Sequence, residues 1–218
     1  MSWYPEIFFL SLNLRSDFDD AYHAMFESID AHGYLHRQTT VKGALQHLNS
    51  VQPQAIIVSD EGLTKKGNEA MLEQVKNYVK EGGRVIFAFD FPKYVDTGIL
   101  DTFFIKTFEL PWTSGCLQKK TVTFNHDCLL PVVFTKCSFP NEYTRQSLHV
   151  SGAREYEKVF APRPFLTVDS RTHRAVDDMQ AAVVGARIRE GFVAYVGDIE
   201  PIKDDGFVLL ILRLCGFK

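Results

Sequence analysis

"NEAMLEQVKNYVKEGGRVIFAFDF", residues 68–91, is the stretch that decides the fold. Its first part sets Leu72, Val75 and Val79 on one stripe among charged neighbours, the spacing of an amphipathic helix with a single buried face. Gly82 and Gly83 stop that helix, because glycine readily adopts the backbone conformations needed to leave it. The next run, "RVIFAFDF" (84–91), is apolar without alternation, as expected of a strand covered on both faces, and Pro92 halts it. Helix, glycine break and two-sided strand together form the unit of a sheet whose parallel neighbours are joined by helical crossovers.

The same unit recurs towards the N-terminus. "EIFFLSLNL" (6–14) reads as a strand buried on both faces, followed by a helix capped by Ser16 or Asp17. Phe18, Tyr22, Met25, Phe26 and Ile29 share one face of that helix, acids crowd its first turn and Gly33 ends it. A short strand at "YLHRQ", a short helix at "VKGALQHL" and a buried strand at "AIIVSD" (55–60) follow. Towards the C-terminus, "GILDTFFIKTFEL" reads as a helix ending before Pro111, and "KKTVTFN" and "SLHVSGA" as extended segments. The segment from about 111 to 175 holds five of the nine prolines and three of the four cysteines, and reads as an irregular elaboration. "QAAVVGARIREGFVAYVGD" gives two strands joined by a tight turn at "REG", and "DDGFVLLILRLCGF" a nearly all-apolar helix that must be buried. The expectation is one α/β domain over residues 1–218, with a doubly wound, mostly parallel flavodoxin-like sheet, a late β-hairpin and a buried C-terminal helix.

Composition narrows the function classes. Of 218 residues 45% are apolar and 23% charged, the balance of a chain that folds around a core. A net charge of -3 gives no electrostatic footprint for nucleic acid or an anionic membrane, so neither is an expected partner. Cys116, Cys128, Cys137 and Cys215 form no C-x-x-C pair or zinc spacing, which points to free thiols. No apolar run reaches the ~18 residues of a membrane span, the opening "MSWYPEIFFLSLNLRSDF" lacks the marks of a signal peptide, and no N-x-[ST] acceptor occurs. These absences favour a cytoplasmic, reducing location.

The order strand, helix, "YVKEGGRVIFAF", late hairpin "VGARIREGFVAYVGDIEP" and closing helix resembles the class I glutamine amidotransferase-like superfamily, including its ThuA-like branch, over most of the chain. The resemblance implies a nucleophilic cysteine on the turn after the strand that follows "GG". It also implies a late strand ending in a His-Pro-Glu-like tripeptide that supplies the base and its orienting acid. Here the first place reads "FAFDFPKY", with no Cys or Ser, and the second reads "GDIEP", with Asp198 where the His falls and Glu200 where the Glu falls. A nucleophile needs a base within hydrogen-bond reach, and Asp90 and Asp198 supply neither thiolate nor imidazole. "FFIKTFELPW" and "LRLCGF" further resemble a fungal subgroup of this fold lacking the catalytic Cys and His. The resemblance therefore implies a non-catalytic, pseudo-amidotransferase binding or interaction protein without a cofactor, its partner a small polar ligand or a protein, with homo-oligomerisation left open. The alternative is a hydrolase with a carboxylate-based or metal-assisted site at Asp90, Asp198 and Glu200.

Asp60, Asp90 and Asp198 each fall at the carboxyl end of an expected strand, where open α/β sheets form their ligand crevice. Converging there, they would hold a hard cation or a cationic ligand, or share a proton; separately, each would cap the following helix or turn. Two-residue spacing puts Asp198 and Glu200 on one face if the strand continues through them. Asp60 also ends a third strand as a receiver phosphoacceptor does, but "LNLRSD" lacks the immediate acidic pair such a site needs. Cys116 in "WTSGCLQ", with His126 or His149 as base, lacks the strand-turn-helix elbow that exposes a nucleophile, and Gly33 between His32 and His36 removes the shared helical face a metal needs. Trp112 in "ELPWTSG" is a candidate to line a pocket or anchor a partner, or else a plug at the core rim. "FAPRPF" (160–165) is a stiff piece suited to covering an edge strand or to an oligomer contact. No catalytic residue, metal ligand set or cofactor motif is expected.

Overall fold

A computed structural model describes residues 5–131, 139–162, 180–200 and 205–217. In chain order the first half gives β1 (Glu6–Leu10), α1 (Phe18–His32), β2 (Tyr34–Gln38), α2 (Val41–Leu48), β3 (Ala55–Val58), a 3-10 turn Glu61–Thr64, α3 (Glu69–Lys80), β4 (Arg84–Phe87), α4 (Asp90–Tyr94) and α5 (Thr97–Phe108). Then come β5 (Thr113–Phe124), β6 (Glu142–Ser151), a 3-10 turn Glu155–Glu157, β7 (Lys158–Pro162), β8 (Val183–Ile188), β9 (Gly191–Val196) and α6 (Asp205–Leu214). The nine strands form one sheet in the order β2-β1-β3-β4-β9-β8-β7-β5-β6.

The opening stretch lies at the centre of this sheet. β4 pairs in parallel with β3 on one side and β9 on the other, and β1 pairs in parallel with β2 and β3. From β9 onwards every pairing is antiparallel, through β8, β7 and β5 to β6. The sheet is therefore mixed, not mostly parallel. The reversal is made by the turn Arg189-Glu190, which brings Ile188 opposite Gly191 and sends β8 back along β9. The expected irregular elaboration at 111–175 is also corrected: where described, it supplies β5, β6 and β7 of the same sheet, while 132–138 and 163–175 lie outside the described residues.

β6, last in the order, is tied back to the centre. Leu148 N–H donates to the Gly197 carbonyl, Ile199 N–H to Gln146, and Val150 and Ala181 exchange both backbone bonds. The antiparallel half thus curls until β6 meets the chain leaving β9, and this closure positions Asp198.

Strands buried on both faces explain the unbroken apolar runs. One face of the parallel half presents Ile7, Phe9, Ile57 and Ile86 to α1 and α6; the other presents Phe8, Ile56, Val85 and Phe87 to the side chains of α3 and α5. The face of α1 is Phe18, Tyr22, Met25, Phe26 and Ile29, as its spacing requires, and Asp17 stands at its N-cap without a side-chain cap bond. On α3 the buried face is Met71, Val75, Tyr78 and Val79, with Leu72 only half covered. α6 buries Phe207, Leu210, Ile211 and Leu214. Each such large apolar side chain contributes about 1.5–3 kcal/mol on full burial, which is why polar groups reach solvent mainly at the strand ends. Among the described residues no helix is long and apolar enough to cross a membrane.

β4 stops earlier than its apolar run. After Phe87 the chain turns sharply at Phe89 (φ 64°, ψ -118°), and Asp90 opens the short helix α4, whose first turn accommodates Pro92.

Candidate functional site

The parallel strands β1, β3, β4 and β9 are neighbours, so the residues just beyond their carboxyl ends form a row. Asn13 and Arg15 follow β1, Asp60 and Glu61 follow β3, Asp90 follows β4, and Asp198 and Glu200 follow β9. The chain leaves β1 towards β2 on one side and returns to β3 on the other, so Arg15 and Glu61 face each other across a topological switch point.

At that end of the row Asp60 caps the 3-10 turn: Gly62 N–H donates to its Oδ1 (2.8 Å) and Asn13 N–H to its Oδ2 (2.9 Å). Burial raises its pKa, against the pull of these two backbone donors. Glu61 accepts from Asn13 Nδ2 (2.7 Å) and from both arms of Arg15 (3.0 and 3.2 Å), with Lys65 Nζ at 3.1 Å. Burial works to raise the Glu61 pKa, but the bonds from Arg15 and Lys65 outweigh it and hold it below the ordinary glutamate value. Arg15 also lies 3.9 Å from Asp90 and stacks its guanidinium on the Tyr94 ring at 3.3 Å. Arg15 and Tyr94 are the partly exposed members here; Asp60 and Asp90 are buried.

Asp90 forms the middle of the row. Its Oδ1 accepts from the Tyr22 hydroxyl (3.1 Å), which α1 delivers where Tyr22 leaves helical angles (φ -119°, ψ 16°). Burial raises the Asp90 pKa, opposed by the Tyr22 bond and by Lys93 and Arg15. The residue at the sharp turn itself is Phe89, whose buried ring packs against Phe9, Tyr22 and Phe207 at centroid distances of 5.2, 5.0 and 6.2 Å. A bulky side chain at positive φ is rare because its Cβ crowds the backbone. A strained strand-to-helix turn of this kind lifts a nucleophile out of the sheet in hydrolases; here the position is apolar and turned inward.

The far end belongs to β6. Asp198 Oδ1 accepts from the Ser147 hydroxyl, and its Oδ2 lies 4.0 Å from Arg145 Nε. Arg145 also donates to the Glu200 carbonyl (2.6 Å) and lies over Phe207, whose ring meets Phe89 at 6.2 Å, so this group adjoins the Asp90 group. Glu200 Oε2 accepts from Gln146 N–H (3.4 Å), and its Oε1 lies 3.5 Å from Lys119. β9 has ended at Val196, so Asp198 and Glu200 are held by β6 rather than by continued strand geometry.

The structure thus sets the five acids in one row but gives each its own donors. Among the described residues no group of three His, Cys, Asp or Glu is arranged to hold a metal ion. Of the two readings of Trp112 the structure has the core plug: the side chain is fully buried, with its indole N–H donated to Glu157 (3.0 Å) and its ring against Phe104. Cys116 is exposed on β5 and bonded to Gln180 through its N–H (2.8 Å), while His149 is buried with its Nδ1 on Gln118 (2.8 Å). His36 is partly buried, its ring stacked on that of His47 at 3.7 Å. The residues that sequence reasoning passed over are Arg15, Tyr22, Glu61, Phe89, Arg145 and Ser147. Arg15 and Glu61 carried a signal, each following an apolar strand; Tyr22, Arg145 and Ser147 carried none, because their partners lie 51–68 residues away or are reached only in space.

No protein-family model matches the sequence, and a search of the curated proteins finds no match. Solved structures do share its fold. A β-galactosidase from Bacillus circulans sp. alkalophilus superposes with a TM-score of 0.60 at 14% identity, over 98% of this chain and 31% of that one, so this chain spans about a third of the enzyme. A putative ThuA-like protein from Parabacteroides merdae gives 0.57 at 10% identity, over 97% and 88% of the two chains. A cytoplasmic protein from Salmonella typhimurium gives 0.55 at 12%, over 97% and 96%. At these identities the likeness is one of fold alone: an α/β architecture shared with a ThuA-like protein.

Proposed function

We propose that this chain is a non-catalytic, pseudo-amidotransferase binding protein of the ThuA-like branch, of the fungal kind its sequence resembles, working in the cytoplasm. Phe89 carries the proposal. The strained turn that would present a nucleophile is kept, yet its side chain is a phenyl ring packed into the core. Beside it, the acids that could act as bases are each held by hydrogen-bond donors, and the surface they leave to a ligand is the Arg15 guanidinium stacked on Tyr94. Such a platform suits a small polar ligand that is bound and released unchanged.

The purified chain should hydrolyse neither glutamine nor activated esters, and Arg15→Ala should remove the response to whichever small polar compounds raise its melting temperature. Turnover that disappears in Asp90→Asn would instead establish the carboxylate hydrolase. If Mg2+ raises the melting temperature of the wild type but not of Asp198→Asn, the metal-assisted form of that alternative holds.

A further inference from the structure

A second site lies at the opposite end of the sheet. The Arg189-Glu190 turn precedes β9, whose six residues rise roughly 20 Å before reaching the Asp198 end. Around this turn, the last turns of α3 and α5 and the loop after β6 enclose a pocket of about 330 Å³. Five cations line it, Lys76 and Lys80 from α3, Arg154, and Arg187 and Arg189 from the hairpin, against one acid, Glu109. The whole chain carries a net charge of -3, so this concentration runs against the composition. Phe108, Leu110 and Ile188 supply apolar lining.

Pairing decides how much of that charge is available. Glu73 holds Lys76 (2.7 Å), Glu157 holds Arg154 (2.8 Å) and Glu190 holds Arg187 (3.3 Å). Lys80 and Arg189, both exposed, make no ion pair among the described residues, and they reach the pocket from different elements. Two uncommitted cations match a dianion, and guanidinium forks suit phosphate oxygens. The volume is at the lower limit for small-molecule pockets, and its apolar lining suits a ligand with a hydrocarbon body.

We propose that this pocket binds a small organic phosphate, a phosphate monoester on an apolar group, independently of the row at the strand ends. Titration calorimetry of the full chain with phenyl phosphate at low ionic strength tests it. One equivalent should bind, and more tightly than inorganic phosphate. Lys80→Gln/Arg189→Gln should weaken binding at least about tenfold, the scale of one lost charge-assisted hydrogen bond. Glu109→Gln should strengthen it, and Lys42→Gln/Lys66→Gln, a pair of exposed cations elsewhere, should leave it unchanged. Circular dichroism and melting curves establish that each variant is folded. The proposal is overturned by absence of binding to the wild type, by equal affinity for inorganic phosphate, or by equal losses in the two double variants.

Discussion

Phe89 sets two energies against each other. A side chain at this backbone conformation costs of order 1–3 kcal/mol relative to an unstrained one, while truncating a buried phenylalanine costs about 3–5 kcal/mol. Phe89→Ala loses the ring and keeps the strain; Phe89→Gly loses the ring and releases the strain. Both variants should be less stable than the wild type, with the glycine variant the more stable of the two by about 1 kcal/mol in urea unfolding, the reverse of their usual order in regular structure. His149 offers a second test at this scale. Burial, with a smaller contribution from Lys120, pulls its pKa down to about 4, below the ~6.5 of an unfolded chain. Between these values the unfolded state binds the proton and the folded state does not, so stability is complete above pH 6.5 and falls as the pH is lowered towards 4. His149→Phe should cut the loss of stability between pH 7 and pH 5 by about 2 kcal/mol; equal losses in the two proteins would show that His149 takes up its proton without unfolding.

At the level of elements, α5 ends with Glu109 in the left-handed region (φ 59°, ψ 26°), its N–H bonded to Ile105 and that of Leu110 to Phe104. Glycine fits that position without Cβ crowding but gains more freedom when unfolded, so Glu109→Gly should raise stability by roughly 0.5–1 kcal/mol, read from the shift of the denaturation midpoint. The longer helices and the parallel strands were legible because their burial is one-sided or two-sided over several consecutive residues, whereas Asp90 and Phe91 of α4 read as the end of the β4 run. "AIIV" and "RVIF" need no context to be read. β5 was legible only from Lys119 onwards: its first half, residues 113–118, is mostly polar or small and half exposed to exposed, so hydropathy says little about it. The candidate site was half legible for a related reason. An acid after an apolar run announces a strand end, but the donor that will answer it comes from another element, as Tyr22 does for Asp90 and Ser147 for Asp198.

Taken as a whole, the molecule joins a parallel half to an antiparallel half through β9, and its closure depends on a residue without a side chain. A Cβ at Gly197 would lie 2.1 Å from the Leu148 carbonyl oxygen and 3.1 Å from that of Ala182. Backbone stands on both sides, so nothing can rotate away. Gly197→Ala should therefore cost at least about 2 kcal/mol in unfolding experiments, whereas Gly67→Ala, with open space around it, should cost less despite its positive φ.

The same closure limits how copies of this chain can join. With β6 engaged from Gln146 to Val150, β2 is the outer strand that carries no ladder partner along its whole free side, Tyr34 to Gln38, among the described residues. In the language of polymer chemistry such a unit is monofunctional: joining two copies by their β2 edges uses up the reactive end of each. Growth through the β2 edge alone would then terminate at a pair rather than propagate into a fibre.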